Sequence, residues 1–244
     1  MAFRQSWQVF LRYFRVLMRQ PAFLLITIVQ PLIWLLLFGA LFKAVTEIPG
    51  FGGSGDYLDY LTPGIVVMLA VSSAGWTGMG FIEDINSGVM DRMLVSPAWR
   101  GAFNLGSIAQ CVVSVVLQTL LIIGLALIMG AHIAHAGTLL LVAALLAAAF
   151  ASLSNGLGVL TRQRESLIGA VSLLLLPLTF LSSALMQLSL APGWISTVAK
   201  FNPVDWAVVA AREPEPLRIG LLAALTLLSA WFATRAFAVY QRSL

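Results

Sequence analysis

The chain has 244 residues, 60% of them hydrophobic and 10% charged, with a net charge of +4 and a mean hydropathy of +0.95. Nowhere is there a polar stretch long enough for a soluble catalytic domain, so nearly the whole chain has to be solvated by lipid or by its own helices. Cys111 is the single cysteine, which excludes an intrachain disulfide and a cysteine metal cluster. The basic balance says little about nucleic acid, because where the charges sit matters more than their sum.

Residues 1–20 come first. On a helical wheel Phe3, Trp7, Phe10, Phe14, Leu17 and Met18 cover one face and Arg4, Gln8, Arg12, Arg15 and Arg19 another, the pattern of a basic amphipathic helix lying in the membrane interface. A signal peptide is the competing reading, but the charged region is too long for one and no small-residue cleavage site follows. Pro21 separates this helix from what comes next.

About 20 apolar helical residues cross a hydrocarbon layer of roughly 30 Å. Six segments meet that requirement, at about Ala22–Phe42, Leu61–Ile82, Phe103–Gly130, Gly137–Leu160, Leu167–Leu190 and Leu217–Ala238. Backbone groups in lipid must pair within the segment, and these runs lack the alternation of a barrel, so the expected class is an all-α membrane protein with six transmembrane helices. The sixth is the weakest, since Arg218 and Arg235 have to snorkel toward opposite interfaces.

An even count puts both termini on one side, and the positive-inside rule says which. Arg4, Arg12, Arg15, Arg19, Arg92, Arg100, Arg162, Arg164, Arg235 and Arg242 share one side, against Lys43, Lys200, Arg212 and Arg218 on the other. Both termini are therefore expected in the cytoplasm, with the chain multi-pass in a plasma (inner) membrane.

The loop after span two carries Glu83, Asp84, Gly88, Asp91 and Arg92. Ile85, Val89 and Met93 share one face, the acidic pair opens the segment where a helix N-terminus favours negative charge, and Pro97 ends it. A cytoplasmic helix over 83–97 is predicted, either a solvated connector or a docking helix for a soluble partner. On the outer side, Met186–Pro216 alternates prolines with apolar stretches too short to span. Two half-inserted helices, about Gly193–Phe201 and Val204–Arg212, fit a re-entrant hairpin over 191–213.

Several chemistries are excluded. A nucleotide-binding P-loop needs Gly-Lys-Ser/Thr, and the two lysines follow Phe42 and Ala199. No ionisable group sits inside the firmly placed spans to bind a coupling ion. His132 and His135 lie in a short outer turn with no further ligand set, so no metal site is expected. Asn104, Ser107, Gln110, Cys111, Ser114 and Gln118 form one stripe on span three, read as hydrogen-bonding glue between helices, and Ala70, Ala74 and Gly78 form a close-packing face on span two.

Ile28-Val29-Gln30-Pro31-Leu32-Ile33-Trp34 through Phe38-Gly39, Leu61-Thr62-Pro63-Gly64, Gly88 to Pro97, Pro177 to Ala184, Pro192-Gly193-Trp194-Ile195, and Asn202-Pro203-Val204-Asp205-Trp206 before Ala211-Arg212 follow one another in order. In that set and spacing the chain resembles the type-2 ABC exporter permeases, nearest the drug-resistance and nodulation-factor branch. The resemblance implies a non-catalytic subunit that works with a second permease protomer in a homodimer. Each protomer docks on a separate cytoplasmic ATPase subunit, which holds the ATP and Mg. It implies coupling through Arg4, Arg12, Arg15, Glu83, Asp84, Gly88, Asp91 and Arg92. By position it nominates Trp34, Phe38, Met68, Ser72, Thr179, Ser182 and Ser183 for the pathway, and an outer lid carrying Trp194, Asn202, Pro203 and Trp206. The uncharged lining points to export of a hydrophobic or amphipathic substrate such as a drug, lipid or glycoconjugate. A non-transporting membrane scaffold or assembly factor is the alternative, and an intramembrane lipid enzyme lacks the convergent acid, base or metal groups it would need.

Overall fold

The computed structural model describes residues 2–18, 21–41, 57–89, 101–185 and 187–242, and every regular element among them is helical. In chain order these are α1 (Ala2–Met18), α2 (Pro21–Leu41), α3 (Tyr57–Gly75), α4 (Gly78–Asn86), α5 (Gly101–Ile128), α6 (Ala136–Thr161), α7 (Arg164–Phe180), a 3₁₀ turn at Leu188–Leu190, α8 (Gly193–Ala199), α9 (Pro203–Arg212) and α10 (Pro216–Arg242).

α6 is the centre of the bundle and touches α3, α4, α5, α7, α9 and α10. Its sequence explains this position: Ala143, Ala147, Ala149, Ala151, Ser152, Ser154, Gly156 and Gly158 are buried, and small side chains let neighbouring backbones approach. At Gly156 a methyl group would meet the Phe232 ring at 2.7 Å, and at Gly158 it would meet the Gly78 carbonyl oxygen at 2.6 Å. The crossings of α6 with α10 and α4 therefore depend on the missing side chains.

Among the described residues, four stretches are long and apolar enough to cross a membrane: Tyr57–Asn86, Phe103–Ile128, Ala136–Thr161 and Pro216–Ala238. They correspond to the predicted spans two, three, four and six. The predicted fifth span, Leu167–Leu190, is not one helix. α7 stops at Phe180 after 17 residues, about 25 Å at 1.5 Å per residue, and 181–185 is irregular and largely buried. Side chains of α3 and α9 supply the hydrogen bonds that a continuing helix would have made.

Of the predicted helix over 83–97, the structure describes residues 83–89. Glu83 and Asp84 lie in the last turns of α4, which ends at Asn86, rather than opening a new helix. Ser87 N donates to Glu83 O and Gly88 N to Ile85 O, each at 3.0 Å, and Gly88 takes φ +67°. That left-handed turn closes the helix at low cost only because the residue is glycine. Asp91 and Arg92 lie outside the described residues.

Two short helices, α8 and α9, form close to the bounds predicted for the segment 191–213. Asn202 caps α9 by accepting from Val204 N at 2.9 Å, with Pro203 in the first turn.

Candidate functional site

Three clusters of side chains follow one another along the bundle. The first is at the α4 end, where α1 crosses the ends of α4, α5, α6 and α10 over Val9, Phe81, Phe103, Val159 and Phe237. Val9 and Tyr13 of α1 face this apolar cluster, while Trp7, Phe10 and Phe14 stack along the helix with ring centroids 5.0 and 5.7 Å apart. Beside it Asp84 is buried and receives both terminal nitrogens of Arg12, Nη1 on Oδ2 at 3.2 Å and Nη2 on Oδ1, together with the Tyr13 hydroxyl at 2.6 Å.

A buried carboxylate is costly unless its lone pairs are filled, and the planar fork of arginine fills two at once. Burial lowers the Arg12 pKa, but the Asp84 hydrogen bond and charge outweigh it and the net shift is upward. The Tyr13 phenol is pushed up by burial first and by the Asp84 charge second. Both groups are therefore fixed in their protonated forms. Glu83 points the other way and pairs in the open with Arg164 at 3.0 Å. Of the predicted coupling residues, the fold joins Arg12 and Asp84 into one clamp, turns Glu83 away to Arg164, leaves Arg15 exposed and puts Gly88 at the turn. The Arg4 side chain lies outside the described residues.

The second cluster is a cavity of about 130 Å³ between α2 and α3, lined by Gln30, Trp34, Ile65, Met68, Leu69 and Ser72. Three of the predicted pathway residues, Trp34, Met68 and Ser72, thus share one cavity. Phe38 stacks on Trp34 with ring centroids 4.8 Å apart and planes 6° off parallel, as residues four apart on one helix face should. Next to Ser72, the Ser73 hydroxyl reaches Gln118 Oε1 on α5 at 3.4 Å. The wall offers an aromatic face, a thioether, a carboxamide and a hydroxyl, and no charge. A space of this size takes about one benzene-sized ring, so it is a foothold rather than a chamber.

The third cluster lies at the α9 end and contains Thr179, Ser182 and Ser183, the remaining residues predicted for the pathway. Thr179 bonds back to Leu175 O at 2.6 Å, and Ser182 to Thr179 O at 2.6 Å. The buried Asp205 accepts from Ser183 N at 2.9 Å and from Ser183 Oγ at 2.6 Å. Asn202 Nδ2 donates to Leu178 O and Leu181 O at 2.7 and 2.8 Å, closing the carbonyls left open at the end of α7. Arg212 Nη2 donates to Tyr60 O and Ser183 O, each at 2.9 Å, and its guanidinium sits 3.5 Å from the centroid of the Tyr60 ring. Tyr57 and Tyr60 hydroxyls donate to Leu185 O and Ser183 O. Irregular backbone in a membrane protein persists only where protein groups satisfy it, and here side chains of α3 and α9 do so. Among the residues expected in a lid, Trp206 donates to Lys200 O at 2.7 Å and Trp194 is exposed.

Arg218 pairs with Glu215 at 2.5 Å and reaches the buried Asp205 at 3.4 Å. Tyr13, Tyr60, Asp205 and Arg212 do not stand out as site residues in the sequence, because their partners lie 71, 123, 22 and 152 positions away. The stripe on span three does bind across helices, with Asn155 of α6 donating to Asn104 Oδ1 at 2.9 Å and to Ser107 at 3.4 Å. His132 and His135 are exposed, and among the described residues no cluster of three metal-ligating side chains occurs.

A family model described as ABC-2 type transporter matches residues 4–215. The chain is 31% identical over 202 residues to the daunorubicin resistance ABC transporter permease protein DrrB1 of Streptomyces coeruleorubidus, an overlap of 79% of this chain and 68% of that one. It is 30% identical over 213 residues to the "Putative transport permease ycf38" of Cyanophora paradoxa, covering 85% and 70% of the two chains. A protein of the same name from Porphyra purpurea is 29% identical over 207 residues, covering 82% and 70%. The chain belongs to the ABC-2 type transporter family and is a membrane permease subunit of an ABC exporter.

Proposed function

We propose that this permease moves a hydrophobic or amphipathic molecule that carries an aromatic ring, entering sideways from the membrane at the cavity of Gln30, Trp34, Met68 and Ser72. The observation that carries the reading is the lining itself: a stacked aromatic pair beside two uncharged hydrogen-bonding groups, with no counter-ion for a small hydrophilic ion. Daunorubicin resistance in a relative agrees with a flat aromatic cargo. At about 130 Å³ the cavity admits one ring of such a molecule, and the rest needs a second surface. A second copy of this chain supplies that surface in this proposal, with α2 offering exposed Ile33, Leu36, Leu37 and Leu41 and α7 offering Leu173, Leu176 and Phe180.

The same reading takes α2 and α7 as the two further membrane crossings, six in all, with both termini in the cytoplasm of a plasma-membrane protein. A separate ATPase subunit binds ATP and Mg and drives the cycle, this chain being non-catalytic. Its stroke arrives through α1, the Arg12–Asp84 clamp and the segment with Asp91 and Arg92. Thr179, Ser182 and Ser183 belong to the outer closure with α9, and the α8–α9 hairpin is the lid.

The test is ATPase stimulation in the complex of two permease and two ATPase chains, using a panel of amphipathic dyes with daunorubicin among them. Trp34→Ala with Phe38→Ala should change which compounds stimulate and leave expression intact. An identical stimulation profile for every compound removes the cavity from the route, and ATP-independent behaviour throughout supports a scaffold instead.

A further inference from the structure

Tyr57–Asn86 reads as one membrane helix of 30 residues, yet it is broken at Trp76 and Thr77, between the cavity residue Ser72 and the clamp residue Asp84. Around the break the amide bonds shorten to three-residue spacing: Thr77 N donates to Ala74 O and Met79 N to Trp76 O, each at 3.1 Å, and Gly80 N to Thr77 O at 3.2 Å. A regular helix would have paired Gly78 N with Ala74 O and Met79 N with Gly75 O. A side chain from another helix takes up both groups. The Ser154 hydroxyl of α6 donates to Gly75 O at 2.5 Å and accepts from Gly78 N at 2.9 Å.

The insertion is tight. Ser154 is 2% exposed, and a methyl group on Gly78 would lie 2.2 Å from the Ser154 carbonyl oxygen. No proline accounts for the break, since Pro63 is the proline within α3. A side chain inserted into the ladder is one of the few causes of a sharp helix kink.

We propose that Ser154 is the positioning residue of a hinge in this helix, which lets the α4 segment, gripped by Arg12 and Tyr13, tilt against the α3 segment that forms the cavity wall. One hydroxyl serves both sides of the break, so the two bonds hold the angle, and both freed groups remain satisfied when it changes by a few degrees. The hinge turns a displacement at the clamp into a change in the cavity. This rests on the proposed function, because the displacement is supplied by the ATPase partner.

The experiment compares wild type, Ser154→Ala and Ser154→Cys in the reconstituted permease–ATPase complex, measuring dye export per ATP hydrolysed and amide hydrogen exchange over residues 74–82. Export per ATP should fall at least tenfold in Ser154→Ala and less in Ser154→Cys, whose thiol is a weaker partner of nearly the same size. ATP turnover and assembly should be retained, and exchange over 74–82 should accelerate in the same order. Two outcomes overturn the hinge alone. In one, wild type exports and the variants that assemble export per ATP within twofold of it; in the other, neither variant assembles and Ser154 serves folding only. A wild-type complex that hydrolyses ATP and exports none of the dyes overturns the function reading and the hinge with it.

Discussion

Replacing Asp84 with asparagine keeps the shape of the side chain and removes the charge that joins α1 to α4. The carboxylate receives two bonds from Arg12 and one from Tyr13. Bonds to a charged partner contribute about 1.5–3 kcal/mol each, but Arg12 is 36% exposed against 8% for Asp84, so water recovers part of the lost interaction. The carboxamide of the variant would still accept from Tyr13, while its own N–H groups would face those of Arg12. A net loss of about 2–3 kcal/mol is expected, a shift of roughly 30- to 150-fold toward the undocked form of α1 at 1.4 kcal/mol per decade. Val9 packed on Phe81 and Phe103 holds the helix in place at its middle, so α1 should loosen rather than unfold. Hydrogen exchange over residues 8–18 should accelerate by that factor, with insertion of the bundle unchanged and export per ATP reduced. Arg12→Lys should give a smaller effect, because an ammonium keeps the charge without the fork. Exchange within twofold of wild type in Asp84→Asn would show that the three bonds do not hold α1, and the clamp would lose its role.

Asn202→Ala should remove both the cap on α9 and the closure of the Leu178 and Leu181 carbonyls, costing about 2–4 kcal/mol; thermal unfolding in detergent reads this as a clear drop in midpoint, and an unchanged midpoint refutes it. Gly64→Ala puts a methyl 2.0 Å from the Ala184 carbonyl oxygen, an overlap costing about 1–3 kcal/mol, and faster proteolysis near 181–191 should accompany it. For Tyr13 the folded pKa is raised above the ordinary 10.0, so its contribution is full below pH 10.0 and declines as the pH rises above that value. Absorbance at the tyrosinate band near pH 10 should be the same in folded wild type and Tyr13→Phe, because the buried Tyr13 does not ionise there; a lower absorbance in the variant refutes the shift.

The sequence determined the class of this protein because lipid leaves few solutions. Apolar runs of spanning length, with arginines gathered on one side, read as a helical membrane bundle before any contact is known, and glycine and proline mark its turns. The Asn202-Pro203 start of α9 was legible for the same reason: caps are local, and the partners of Asn202 Oδ1 and Val204 N lie two residues apart. Trp34 and Phe38 were legible as a stack because one helix turn brings them together.

Only the tertiary structure decided where helices stop. Leu167–Leu190 is uncharged throughout, yet it ends as a helix at Phe180 because Asn202, Asp205, Arg212, Tyr57 and Tyr60 satisfy the backbone beyond it. The break at Trp76 has its partner in Ser154, nearly eighty positions on. Glu83 and Asp84 are neighbours in sequence, but one faces water and the other is buried under α1. Periodicity reports which face of a helix is apolar; it carries no information about which distant donor will meet an open carbonyl, and in a low-dielectric interior that meeting fixes the path of the chain.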